Sequence, residues 1–360
     1  MAEQPPPPPP PLPKALEVQT SVRTPAEIVA YQAETTIEAG DDGSSGSSVN
    51  SATQHLDYLP DSESISSSVF HFGFENGRRY HKFREGRYQF PNDESEQARE
   101  DMKHAMMVSV CGGKLFLAPI EQPRRVLDIG TGTGIWAIDV GDTYSTAEVL
   151  GIDLSPIQPD WVPENVKFMV DDAESPWLHP RNTFDFVHAR HMCSGIKDWP
   201  QLMSEAYAHM QPGGWIEIAD QDFVPHCDDG TMREDYAVTR FLELIRQGLA
   251  TSGTDLLGLR KHRQNLENAG FINIEEKIFK VPIGNWPRNA TMKAIGMYQR
   301  SAIYDGLQGL SLGPFTRGLG WSPNEVEVFL IDVRRALVDS SQHTYLPFHI
   351  FYGQKPWIPS

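Results

Sequence analysis

Three glycines at alternate positions, Gly130, Gly132 and Gly134, constrain this chain more than any other feature of it. They follow Val126, Leu127 and Ile129, the apolar run of a buried strand. They precede Ile135, Trp136, Ala137 and Val140, which recur at helical spacing. The stretch RVLDIGTGTGIW, Arg125 to Trp136, therefore reads as a strand feeding a glycine turn that opens a helix. Glycine has no Cβ, so the backbone can take positive φ and a ligand can lie directly on it. The helix start behind the turn offers free N–H groups. In α/β sheets a nucleotide-like ligand binds at such a turn, beyond the carboxyl ends of the strands.

The spacing leaves two registers open. From Gly130 a G-x-G-x-x-G pattern fails at Ile135, whereas from Gly132 a G-x-G-x-x-A pattern runs through Ala137. Dinucleotide sites accept the second form, and a nicotinamide oxidoreductase is one reading. Asp128 counts against it. A carboxylate two residues before the first glycine repels a pyrophosphate and suits a ligand with a cationic end, such as S-adenosylmethionine with its amino group and sulfonium. Asp153 closes the second strand and can accept from both ribose hydroxyls, a role common to both ligands; Leu154 beside it can lie on the adenine face. After the third strand come Asp171, Asp172 and Ala173. Asp172 is the candidate acceptor for the adenine amino group, and the Ala173 backbone N–H the donor to a ring nitrogen. Asp172 would serve equally as a helix N-cap.

The rest of the chain narrows the field. A formal net charge of −17 over 360 residues argues against a protein that lives on nucleic-acid phosphates or an anionic membrane. Cys111, Cys193 and Cys227 form neither a disulfide framework nor a zinc pattern, so no metal is expected. The start, MAEQPPPPPP, lacks the basic and apolar regions of a secretory signal. No run of about 18 apolar residues could span a membrane. An intracellular protein of the cytoplasm or nucleus is expected.

Residues 1–68 read as a disordered tail: consecutive prolines from Pro5 to Pro11, then DDGSSGSSVNS and SESISSS, too little apolar surface to offset the entropy of ordering. Residues 69–360 read as one domain. It opens with an aromatic segment, Phe70 to Phe90, either a cover over the core or a pocket wall. A helix capped by Asn92 or Asp93 runs to about Val110. Strands and helices then alternate, as in an α/β fold: strands at Arg125–Ile129, Ala147–Ile152, Val166–Val170, Phe184–Ala189 and Trp215–Ala219, with a helix at 201–210. Helices follow near 231–250, 255–269 and 289–308, with a strandlike segment Phe271–Val281 between. Ser322 to Glu325 forms a capping box with proline at the first helical position. An apolar strand, Tyr345–Tyr352, closes the chain.

VLDIGTGTGIWAIDVGD, VLGIDLSPIQPDWVPENVKFMVDDAESPW, FDFVHAR and MQPGGWIEIAD resemble successive motifs of the class I S-adenosylmethionine-dependent methyltransferases. More narrowly, together with Tyr88 to Asp93, Gly112 to Leu115, Leu319 to Ser322 and Tyr352 to Pro356, they resemble the fungal LaeA-like methyltransferases of secondary metabolism. The resemblance covers residue 70 to the end. It implies a Rossmann-like, seven-stranded, mostly parallel sheet of order 3-2-1-4-5-7-6, the seventh strand antiparallel, with helices on both faces and helical insertions between strands five and seven. It implies S-adenosylmethionine as cofactor. Asp128, Gly130, Thr131, Gly132 and Gly134 would surround its methionine part, Asp153 its ribose, and Asp172 with Ala173 its adenine. Arg190 would border the methyl-transfer end.

No catalytic base follows from the resemblance. His191, Asp220, Asp222 and His226 lie beyond the strand ends and are candidates, His191 first; a thiolate pair of Cys193 with His191 is a further reading. Two functions are expected in order: a methyltransferase acting on a small fungal metabolite, then a LaeA-like nuclear regulator acting through protein partners.

Overall fold

The computed structural model describes residues 23–40 and 72–357. After a first helix, α1 (Pro25–Glu34), comes a small antiparallel hairpin, β1 (Phe72–Glu75) and β2 (Arg78–His81), and the helix α2 (Glu94–Val110) follows it. Asp93 caps that helix by accepting from the Glu96 backbone N–H at 3.2 Å. The central sheet holds β3 (Arg125–Ile129), β4 (Glu148–Asp153), β5 (Val166–Val170), β6 (Phe184–Arg190), β7 (Met210–Gln221), β8 (His226–Cys227), β9 (Ile272–Pro282) and β10 (Thr344–Gln354). Its path is β5-β4-β3-β6-β7-β10, with β9 along the far edge of β10. The first five strands are parallel, and β10 runs against both β7 and β9. In chain order this is the expected 3-2-1-4-5-7-6, with one addition. Tyr345 pairs with His226 on one side and Pro282 on the other, so β8 lies on the same edge of β10 as β7 and prolongs it past a break.

Strand alternation sorts the core. Val126, Val149, Val166 and Phe186 face α3 (Ile135–Thr143), α2 and α1 (Pro25–Glu34). Their sequence neighbours Leu127 and Val187, with Ile152 and Ile218, face α4 (Trp199–His209) and α6 (His262–Ala269). A third cluster joins α5 (Ala237–Ala250), α7 (Ala290–Leu312) and α8 (Pro323–Val338) over the carboxyl end of the sheet. Both α5 and α7 lie between β7 and β10, where helical insertions were expected.

The tail needs correcting. Within the span 1–68 expected to be disordered, α1 is an ordered helix. Thr24 and Glu27 cap each other's backbone N–H groups, and Pro25 holds the first helical position. Val29 and Ile37 are buried, Lys280 donates to the Thr35 carbonyl, and Ala39 bridges to Pro287. Two apolar anchors and an edge bridge suffice to dock a helix that composition alone assigns to the tail. The proline run, the remaining tail residues and Phe70 lie outside the described residues.

Candidate functional site

The glycine turn after β3 has the predicted shape: φ is 66° at Gly130, 58° at Gly132 and 82° at Gly134. The three glycines do different work. A Cβ at Gly130 would meet the Met192 thioether and one at Gly134 the Phe168 ring, whereas one at Gly132 would meet nothing within 4 Å. The middle glycine therefore faces open space, as a ligand-bearing position must.

That space is a cleft, partly open to solvent. It brings together Gly130, Gly132, Asp153, Leu154, Asp172, Ala173 and Arg190. A shallower extension around the turn adds Asp128 and Thr131. Of the expected cofactor residues only Gly134 lines neither; it starts α3 in the left-handed conformation.

Asp128 is buried, with one oxygen accepting from the Thr131 hydroxyl at 2.6 Å and the other from His188 Nδ1 at 2.8 Å. His188 stacks flat on Trp136, ring centroids 3.6 Å apart. Burial holds His188 below the usual imidazole range, so its ring gives Asp128 a hydrogen bond rather than a charge. Asp153 accepts from the Gly132 N–H at 2.9 Å and the Ser155 N–H at 2.8 Å. Burial pushes its carboxyl up to about 6. An ionised carboxylate has about four acceptor positions, so two remain for a ligand. Two carboxylates against one glycine turn fit a cationic nucleoside and disfavour a pyrophosphate.

Asp172 stands in the cleft, but not as a helix cap, because no helix starts after it. Its Oδ1 accepts from the Glu174 N–H at 3.1 Å within a turn. Sequence reasoning missed its cationic partners. Arg87 donates to Oδ2 at 3.2 Å and Arg84 lies 3.6 Å away, tying the aromatic segment to the rim of the cleft. Tyr88 and Asn92 from the same region line the cleft, so that segment is both cover and wall. Arg190 donates to His104 Nδ1 at 2.9 Å; His104 must then carry its proton on Nε2, which meets Asp139 at 2.8 Å.

His191 sits where the cleft, its extension and a second cavity meet. Its φ of 59° is left-handed, a strained position for histidine. Burial, then the nearby cations Lys103, Arg190 and Arg99, hold its ring well below the usual imidazole range. The ring is neutral at physiological pH and a poor base. The other candidates stand elsewhere. Asp222 is paired with Arg260 at 2.7 Å, and His226 is exposed and stacks on Tyr345. Asp220 is buried, its carboxyl pushed up by burial to about 7, and accepts from the Cys193 N–H at 3.2 Å. Burial also pushes the Cys193 thiol far up, so the thiolate pair with His191 does not form.

Residues 100–276 match the family model described as a methyltransferase domain. The methyltransferase pytC of Aspergillus terreus is 40% identical over 82% of this chain and 91% of its own length. The secondary metabolism regulator LAE1 of Cochliobolus heterostrophus is 39% identical over 78% of this chain and 94% of its own. This chain belongs to the LaeA-like methyltransferases. A further relative, the protein-methionine methyltransferase laeA of Emericella nidulans, is 34% identical over 79% of this chain and 77% of its own. S-adenosylmethionine is the cofactor of this methyltransferase, and its substrate is a small molecule or a protein. With the family shown, the nicotinamide reading from the Gly132 register falls. No described helix is long and apolar enough to cross a membrane.

Proposed function

We propose that this methyltransferase transfers a methyl group from S-adenosylmethionine to a small molecule of fungal secondary metabolism, inside the cell. The observation that carries the small-molecule reading is the second cavity. It is walled by Phe241 and Leu242 of α5 and by Ala302 and Ile303 of α7, and it opens beside the cofactor cleft, with which it shares Tyr88, Glu100 and His191. A recess lined mainly by apolar side chains with a few polar groups has the make-up of a small-molecule site. The cysteines of the described residues are all free thiols, as suits a reducing compartment.

In this reading Asp128, Gly130, Thr131, Gly132 and Gly134 hold the methionine part of the cofactor. Asp153 takes the ribose hydroxyls, Leu154 packs on the adenine, and Asp172 with the Ala173 N–H reads its edge. Arg190 stands at the methyl end. The cofactor supplies an activated methyl group on a sulfonium. The chain's part is to hold the acceptor in line with the S–CH₃ bond at about 3–3.5 Å and to keep water out.

Deleting the gene distinguishes enzyme from regulator. Loss of one methylated product, with its unmethylated precursor accumulating, is expected. The regulator reading draws on the likeness to the secondary metabolism regulator LAE1. Loss of transcripts from many biosynthetic clusters, with no precursor accumulating, would favour that reading instead. A second expectation concerns pH. Asp153 is ionised above about 6 and protonated below it. Only the ionised form keeps all its acceptor positions and its attraction for the cation, so S-adenosylmethionine affinity should weaken as pH falls through that value. Calorimetry across the range checks it, and Asp153→Asn should flatten the profile.

A further inference from the structure

The second cavity adjoins the cofactor cleft. Tyr88, Glu100 and His191 line both. Its walls are apolar, with Phe90, Phe223, Phe241, Leu242, Ile303 and Leu346 among them. Its polar groups divide into spent and unspent. Arg99 is spent on Glu96 and Glu100. Both Glu100 oxygens are in turn taken by Lys103, at 2.9 and 3.1 Å. The Lys103 ammonium meets no other acceptor among the described residues, and it has three protons to give. Gln221 is 7% exposed. Its Oε1 accepts from Gln299 Nε2 at 3.0 Å, which fixes the amide's orientation and leaves Gln221 Nε2 without a partner. Of the charged residues that line this cavity, the cations are Arg99 and Lys103 and the carboxylate is Glu100. What is unspent here is donors, on the Lys103 ammonium and the Gln221 amide.

We propose that this cavity is the acceptor chamber and takes an apolar molecule bearing an ionised oxygen, a carboxylate or an enolate, held by the Lys103 ammonium and the Gln221 amide. The proposal rests on the cofactor reading of the neighbouring cleft. The step balances without a base. A lone pair of the oxyanion forms the O–CH₃ bond and the S–CH₃ bond breaks with its electron pair left on sulfur. An anion and a sulfonium thus become a neutral methyl ester or enol ether and a neutral thioether. No proton moves, which agrees with a neutral, weakly basic His191 beside the chamber.

The test is calorimetry on the full chain saturated with S-adenosylhomocysteine. The probes are naphthoate, its uncharged isostere naphthamide, and dimedone, a compact enolate. Naphthoate or dimedone should bind at least about tenfold more tightly than naphthamide, as a hydrogen bond to a charged group predicts. Whichever of the two binds identifies the oxygen. Lys103→Met should remove the preference without changing S-adenosylhomocysteine affinity, and Lys103→Arg should restore most of it. Equal binding of acid and amide overturns the oxyanion assignment. Binding of none of the probes, with S-adenosylhomocysteine bound, overturns the chamber. Failure of S-adenosylhomocysteine itself to bind overturns the cofactor reading instead. If Lys103→Met does not fold, the comparison of acid with amide on the unaltered protein still decides.

Discussion

Gly132→Asn should lower S-adenosylmethionine affinity by about a hundredfold or more, some 2.7 kcal/mol, and leave the fold nearly intact. The two effects separate because of where this glycine looks. Its φ is 58°, and a Cβ there meets no protein atom within 4 Å. Asparagine tolerates the left-handed region better than other side chains, so the folding cost is about 1 kcal/mol or less. Asparagine is also neutral, so the loss measures volume alone. Its amide would stand in the cleft beside Asp153, whose carboxylate already takes the Gly132 N–H at 2.9 Å. Neighbouring glycines give no such clean result. Alanine at Gly134 would lie 2.3 Å from the Phe168 ring and would disturb the core as well as the site. Titration calorimetry with thermal denaturation of the same samples checks both halves. Retained affinity would place the cofactor away from this turn.

Local chemistry made this site legible. Asp128, the glycines and Asp153 lie within or at the ends of two adjacent strands, so a strand pattern and a turn pattern suffice to bring them together. The partners that shape the site come from far along the chain. Arg87 reaches Asp172 across 85 residues, and Gln299 reaches Gln221 across 78. No periodicity announces either pair. The same holds for His191. Its position after β6 follows from the sequence, but its weak basicity comes from burial and from cations on α2, which only the packing reveals.

The tail is a different kind of miss, because its signal was present. Thr24-Pro25-Ala26-Glu27 carries the same cap as Ser322-Pro323-Asn324-Glu325, and both form capping boxes. The second stands before an apolar helical face, which marks it as a helix start. The first stands beside a proline run and serine-rich stretches, whose composition masks it. A short helix with only Val29 and Gln32 buried shows little amphipathic pattern; its order comes from docking onto α2, α7 and β9.

Asp128 carries the largest expected effect on stability together with one on binding, and two substitutions part them. The carboxylate is 3% exposed and takes hydrogen bonds from Thr131 and His188. Alanine leaves both donors buried and unanswered, at about 1–3 kcal/mol each, so Asp128→Ala should destabilise by roughly 3 kcal/mol. Asparagine keeps the shape. Its oxygen can still accept from His188 Nδ1, and its amide can donate to the Thr131 hydroxyl oxygen, so Asp128→Asn should fold with most of that stability restored. What asparagine cannot restore is the charge. If a buried carboxylate under the glycine turn selects the cationic end of the cofactor, S-adenosylmethionine should bind Asp128→Asn about tenfold more weakly, the effect of one charge-assisted contact. Adenosine, which has the ribose and adenine but no cationic end, should bind the variant and the parent equally. Equal weakening of both ligands would mean that Asp128 only shapes the turn. Unchanged affinity for both would remove its charge from the account of cofactor choice.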